Sequence, residues 1–278
     1  MKDLWMLFPG GRTKALTLSY DDGVEQDARL IEIMNRHGLK GTFNLNGGLF
    51  APEGTVYPEG QIHRRLTKKA ALELYASSGQ EVALHAMHHG DLPELPPAYA
   101  VWQVVREKEA LEEMFGRIIR GMAYPYGTNT AELAEALKSC GVAYSRTTVS
   151  TQSFNLPHDW LRMPATCHHK NPQLMELAKT FVEYSKARAQ LFYLWGHSYE
   201  FEADDNWNVI EEFAEYMGGR DEIWYATNIE IHDYVEAWRS VHISANGSML
   251  HNPSALTLWF KSGDQVWKLE SGCTITLP

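Results

Sequence analysis

The 278-residue chain is short of positive charge: 25 Lys and Arg stand against 35 Asp and Glu, a formal charge of −10. That balance excludes an electrostatic grip on nucleic acid or on an anionic membrane surface. No apolar run approaches the roughly 18–20 residues of a membrane helix. The apolar stretch over residues 4–8 is also shorter than a signal-peptide core of roughly 7–15 residues, so a cytoplasmic location is expected. Cysteine is scarce. Cys140, Cys167 and Cys273 are far apart, odd in number and without a CxxC pair, so neither a disulfide framework nor a thiolate zinc site is expected. Repeats and low-complexity segments are absent. What remains is an ordinary globular composition, 44% apolar and 22% charged, in a chain long enough to bury one large core. The nine tryptophans are read mostly as core, because each buries a large area.

The hydrophobic pattern alternates in type. Residues 14–20 read as a buried strand ending at Asp21-Asp22-Gly23. Residues 26–37 carry helical spacing, with Gly38 as the stop, and residues 41–46 read as the next strand. Strand, helix, strand in under forty residues is a βαβ unit with a parallel pair. The alternation continues with helices over 67–77, 99–115, 131–139 and 207–216, and strands over 81–84, 122–124, 191–195 and 223–227. This is an α/β architecture with a mostly parallel sheet. Asp21, Asp22, His85, Tyr126 and His197 all fall just past strand ends, where barrel enzymes build their sites, which favours a (β/α) barrel over an open sheet. The last forty residues alternate apolar and polar over 240–244, 256–260, 265–269 and 273–277, with Asn246-Gly247, Ser262-Gly263-Asp264 and Ser271-Gly272 as turns. They predict a small antiparallel β appendage, giving residues 1–239 as the barrel and 240–278 as a β cap packed on it.

Three groups of residues could carry chemistry. His85-Ala-Met-His88-His89 spaces two imidazoles four apart, so one helical turn would face both the same way. The second place is not Glu, which excludes the HExxH zinc-protease motif. Tyr20-Asp21-Asp22-Gly23 sets two carboxylates after a buried strand, costly unless neutralised; a cation could do this for one and leave the other free as a base, and the alternative is a turn with Asp capping the next helix. His197 follows the apolar strand at 191–195. Asp204-Asp205 is expected to cap the helix that follows. His168-His169 is expected in a loop with no carboxylate nearby.

These segments, in this order, resemble the polysaccharide deacetylases, the NodB homology domain of carbohydrate esterase family 4. The resemblance runs over about residues 10–240. It rests on Ser19-Tyr-Asp21-Asp22-Gly23, His85-Ala-Met-His-His89, Arg120 followed by Ala123-Tyr-Pro125-Tyr126-Gly127, and Leu194-Trp-Gly-His197. It implies a distorted, incomplete (β/α) barrel. It implies Asp21 as general base, Asp22, His85 and His89 as ligands of a divalent metal, a Tyr126 backbone N–H facing the oxyanion, and His197 as general acid; His88 has no role in it. Zinc suits two imidazoles and a carboxylate best, while cobalt, nickel, manganese or iron also fit such sites.

Two positions depart from the family pattern. The arginine found two residues before Pro-Tyr in many members is Ala123 here, with Arg146 or Arg162 as possible replacements. The Asp-x-x-Asp-Trp segment aligns with Leu156-Pro-His-Asp159-Trp160, so its first Asp is missing. The reading is a metal-dependent hydrolase that removes N-acetyl or O-acetyl groups from a saccharide. The alternatives are an amidohydrolase of the same superfamily acting on a small cyclic amide or imide, and a non-catalytic carbohydrate-binding protein on the same scaffold. The expected partner is the acetylated saccharide or small amide, with no nucleic acid and no membrane; nothing in the sequence speaks to oligomeric state.

Overall fold

Residues 14–21 are all buried, and the strand they form organises the barrel. In the computed structural model, which describes residues 3–184 and 188–278, the elements run β1 (Leu4–Leu7), β2 (Lys14–Asp21), α1 (Asp27–Arg36), β3 (Gly41–Leu45), α2 (Lys68–Ala76), β4 (Glu81–Leu84), α3 (Pro97–Phe115), β5 (Gly121–Ala123), α4 (Ala131–Ser139) and β6 (Tyr144–Ser150). They continue with β7 (Met163–Ala165), β8 (Cys167–His168), α5 (Leu174–Glu183), β9 (Gln190–Gly196), α6 (Tyr199–Ala203), α7 (Asn208–Met217), β10 (Ile223–Tyr225) and α8 (Asn228–Arg239). The chain ends with β11 (His242–Ile243), β12 (Met249–His251), β13 (Leu258–Ser262), β14 (Gln265–Leu269) and β15 (Thr274–Thr276). Local signals place the helices. Thr67 and Thr130 accept backbone N–H bonds from Ala70 and Leu133, and Thr227 with Glu230 forms a capping box on α8. Gly116, left-handed at φ 64, ends α3.

The central sheet is parallel throughout, in the order β7-β6-β5-β4-β3-β2-β9-β8, with β10 also on β2. Its two edges are consecutive in the chain. Residues 163–165 pair with β6; the Thr166 N–H then bonds the Tyr193 carbonyl at 2.9 Å, and residues 167–168 pair with β9. One short segment therefore closes the sheet into a distorted barrel. The two-residue period of a strand sorts its side chains. Leu16, Leu18 and Tyr20 join the cluster that packs against the helices, including Leu30, Ile33 and Phe213. Their neighbours Thr17, Ser19 and Asp21 point the other way, where Thr17 bonds Asn228, and Asn44 bonds both Ser19 and Asp21.

The C-terminal strands form two three-stranded antiparallel sheets, β1-β13-β14 and β11-β12-β15. β1, four residues near the N-terminus, pairs along its whole length with β13; the sequence pattern did not single it out. Asp204-Asp205 does not cap α7, which has no side-chain cap. Asp204 instead ends α6 and pairs with Lys170 at 2.8 Å, because the short helix over 199–203 intervenes. No helix among the described residues is long and apolar enough to cross a membrane.

Candidate active site and metal centre

The C-terminal ends of neighbouring strands β2, β3, β4, β5 and β9 bring the candidate residues together. Asp21 is the last residue of β2, and Asp22 turns out of the strand at φ 87, a left-handed conformation. His85 follows β4 directly. The route from His85 to His89 is not a helical turn: Ala86 and His89 take φ 60 and 53, and this tight loop folds the second imidazole back. The ring centroids of His85 and His89 lie 4.8 Å apart at 73°. One ligand atom from each of Asp22, His85 and His89 falls within 4.8 Å of the other two.

The donors suit a divalent ion. His85 Nδ1 is 2.8 Å from the Ala123 carbonyl oxygen. A carbonyl only accepts, so Nδ1 carries the proton and the Nε2 lone pair is free. That Nε2 is buried and has no hydrogen-bond partner among the described residues, the situation a metal relieves. Burial holds His85 down to about 4, against the pull of Asp21 and Asp22, so the ring stays neutral. His89 is also held below the ordinary histidine value, by burial first, opposed by Asp22. Asp22 is held far below the usual carboxylate range: burial pushes it up, and His63, His85 and Arg65 outweigh that. His63 Nε2 stands 3.2 Å from Asp22 Oδ2, and Arg65 Nη2 donates to Oδ1 at 3.1 Å. Neither His63 nor Arg65 carried a sequence signal; both come from the irregular segment between β3 and α2.

Asp21 lies beside the triad, 3.8 Å from His85 Nε2 and 3.9 Å from His197 Nε2. Arg146 on β6 donates to its Oδ2, and Asn44 donates to Oδ1 at 2.8 Å. Burial pushes the Asp21 carboxyl up, but Arg146, His85 and His197 bring it below its ordinary value. Of the two arginines open at the sequence level, Arg146 therefore meets Asp21. Its guanidinium is fully buried and stacks 4.4 Å over the Trp195 ring. Arg162 pairs with Asp159 on the surface, and Arg120 with Asp233.

His197 Nδ1 is 3.3 Å from Glu200 Oε2. Burial lowers this imidazole, and Glu200, Asp21 and Asp22 raise it above its ordinary value. Glu200 is the carboxylate that meets this imidazole; its spacing, three residues after His197 at the start of α6, was the available signal. Tyr126 sits at φ 59 in the Pro-Tyr-Gly turn, its ring edge-on to His89 at 4.8 Å. Gly127 makes that turn possible. It has φ 76, and a Cβ there would fall 2.3 Å from Thr148 Oγ1. His88 bonds Gln103 through its backbone N–H and stays outside the cluster. Glu107, buried in α3, was not singled out either, although it occupies a core-facing position beside Val104 and Leu111. It accepts the backbone N–H groups of Gly47 and His85 at 3.0 Å and so fixes the ligand loop.

Residues 10–145 match the family described as polysaccharide deacetylase. A chitin deacetylase of a Pestalotiopsis species is 24% identical over 143 residues, 51% of this chain and 43% of that protein, so the match spans less than half of the relative's length. A Mycobacterium smegmatis protein assigned to the polysaccharide deacetylases has the same fold. It is 16% identical, with TM-score 0.60, and the match covers 86% of this chain and 96% of that one. A family 4 carbohydrate esterase of Streptomyces lividans, solved with acetate, is 15% identical with TM-score 0.53, covering 77% and 93%. At these identities the two structures share the fold.

Proposed function

Because residues 10–145 match the polysaccharide deacetylase family, we propose that the chain is a metal-dependent hydrolase that removes N-acetyl or O-acetyl groups from a saccharide. The observation that carries this reading is the convergence of Asp22, His85 and His89, with the His85 Nε2 lone pair buried and unpartnered, directly beside the Arg146-paired Asp21. The Streptomyces esterase, solved with acetate, supports an acetylated substrate.

Asp22, His85 and His89 would hold the ion, most simply zinc. When bound, the ion supplies Lewis-acid polarisation of the acyl carbonyl and acidifies the attacking water. Asp21 takes the proton of that water. Arg146 and Asn44 keep it ionised and oriented for the purpose. The Tyr126 backbone N–H, presented by the left-handed turn, donates to the developing oxyanion. His197, whose protonated form Glu200 and Asp21 favour against burial, gives its proton to the departing amine or alcohol. The balance is one water consumed, one acyl bond broken, and acetate plus the free amine or hydroxyl released. Dividing the chain at residue 240, with the C-terminal strands as a cap, belongs to the same reading.

The test is acetate release from a panel of N- and O-acetylated oligosaccharides by zinc-loaded protein, beside His85→Ala. We expect release by the wild type, and loss of both release and this metal in the variant. Ring opening of a cyclic imide without acetate release would replace the substrate class. Retained metal with no turnover on either panel would leave a binding protein.

A further inference from the structure

A second group of ligating side chains lies outside the set that holds the first ion. His168 ends β8, His169 follows it, and Glu200 lies in the first turn of α6, so the expectation of a loop without a carboxylate fails on both counts. Glu200 Oε2 is 3.2 Å from His168 Nε2 and 3.3 Å from His169 Nε2. One ligand atom from each of the three lies within 4.8 Å of the others. In a tetrahedral zinc site with bonds of about 2.0–2.1 Å, neighbouring ligand atoms sit about 3.3 Å apart. The two edges through Glu200 already have that length.

His169 has no other evident task. Its side chain is 1% exposed, and neither ring nitrogen has a hydrogen-bond partner among the described residues. The ring is stacked between Tyr20 and Phe201, at 5.8 and 4.1 Å. Gly196 is what leaves room for it, since a Cβ there would fall 2.0 Å from His169 Nδ1. Burial first, with His168 beside it, holds this imidazole down to about 2, so it is a neutral donor. An unpaired buried polar group is costly, and the fold keeps this one in place. Lys170 neutralises the other Glu200 oxygen, Oε1, at 3.3 Å, and leaves Oε2 facing the imidazoles.

We propose that His168, His169 and Glu200 form a second site for a divalent transition ion, zinc above all, and that its filling inhibits the enzyme by taking Glu200 Oε2 away from His197. The inhibition rests on the acid role assigned to His197; the site itself does not. The second site is the weaker of the two for a stated reason. His168 Nδ1 accepts the Lys170 backbone N–H at 3.1 Å, so its Nε2 must shed a proton and that bond must open before an ion can bind. His85 is already in the binding tautomer.

The experiment is equilibrium dialysis of the whole protein against increasing zinc, with elemental analysis, on wild type, His85→Ala, His168→Asn and Glu200→Gln. Circular dichroism checks each fold. We expect two equivalents in the wild type, filling in two steps, and one in each variant. Acetate release by the wild type should fall over the second step, and zinc should spare His168→Asn. A single equivalent that is lost in His85→Ala, or a second equivalent that survives both His168→Asn and Glu200→Gln, overturns the site. A single equivalent kept in His85→Ala and lost in His168→Asn upholds it and refutes the Asp22-His85-His89 assignment instead. Equal zinc inhibition of wild type and His168→Asn overturns the inhibitory role.

Discussion

Replacing Arg146 by Met removes the guanidinium that neutralises Asp21 from across the barrel while keeping similar bulk against Trp195. Asp21 is 2% exposed. In the wild type, burial pushes its carboxyl up and Arg146, His85 and His197 bring it below its ordinary value. Without that partner, burial drives the Asp21 carboxyl above its ordinary value, against the two imidazoles that remain. Removing one partner of a buried ion pair costs about 3–5 kcal/mol. For a chain of this size it lowers the melting temperature by on the order of 10 °C. The sign follows from linkage. The lowered wild-type value contributes stability above the unfolded value of about 3.9, lost as pH falls through the folded value. The raised value in the variant contributes stability below about 3.9, lost as pH rises through it. The deficit of Arg146→Met therefore grows from pH 4 to pH 8, and the acid limb of its kcat/KM profile moves to higher pH, with zinc content unchanged. Thermal unfolding at several pH values and the pH profile of acetate release measure both. A variant with the wild-type acid limb and bound metal, or with a deficit that shrinks as pH rises, would refute the pairing as the control on Asp21. Arg162→Met, which breaks only the exposed pair with Asp159, should stay within about 0.5 kcal/mol of wild type.

Glu200→Gln removes a charge that raises His197 against burial; the alkaline limb of the rate profile should move to lower pH and kcat should fall about tenfold or more, whereas an unmoved limb would mean that Glu200 does not govern His197. Asp27 is held up at about 7 by burial, even though Ser198, Tyr75 and the Val24 N–H bond it. Its contribution to stability is therefore complete below about 3.9 and lost as pH rises through 7. Asp27→Asn, whose amide the two hydroxyls can also bond, should gain on wild type in melting temperature from pH 4 to pH 8; a constant difference would refute the raised value. Gly127→Ala puts a Cβ against Thr148 at φ 76, costing about 1–3 kcal/mol and displacing the Tyr126 amide. kcat should drop with zinc content retained, and an unchanged kcat would remove that amide from the mechanism.

Much of this fold is legible because its signals are local. The strand at Lys14–Asp21, the helices ended by Gly38, Gly116 and Gly141, and the Thr67 cap are each set by residues within a turn of the feature they produce. The C-terminal appendage is less so. Its alternating strands were readable except β12 (Met249–His251), and its division into two sheets depends on β1 arriving from the far end of the chain. His168 and His169 misled for a similar reason: the carboxylate that meets them lies beyond a whole helix and strand.

The sequence by itself determined that the chain alternates strands and helices, that Asp21, Asp22, His85, Tyr126 and His197 stand just past strand ends, and that they occur in the order of a known family. Each of those facts is carried by a short window, where period and turn chemistry act. Only the tertiary structure decided which arginine meets Asp21, that Glu200 backs His197, that His63 and Arg65 hold Asp22, and that His169 is buried without a hydrogen-bond partner among the described residues. Arg146 is 125 residues from Asp21, and both lie inside the barrel. Barrel closure through residues 163–168 sets that distance, and contacts made across a closed sheet leave no periodic trace in the chain.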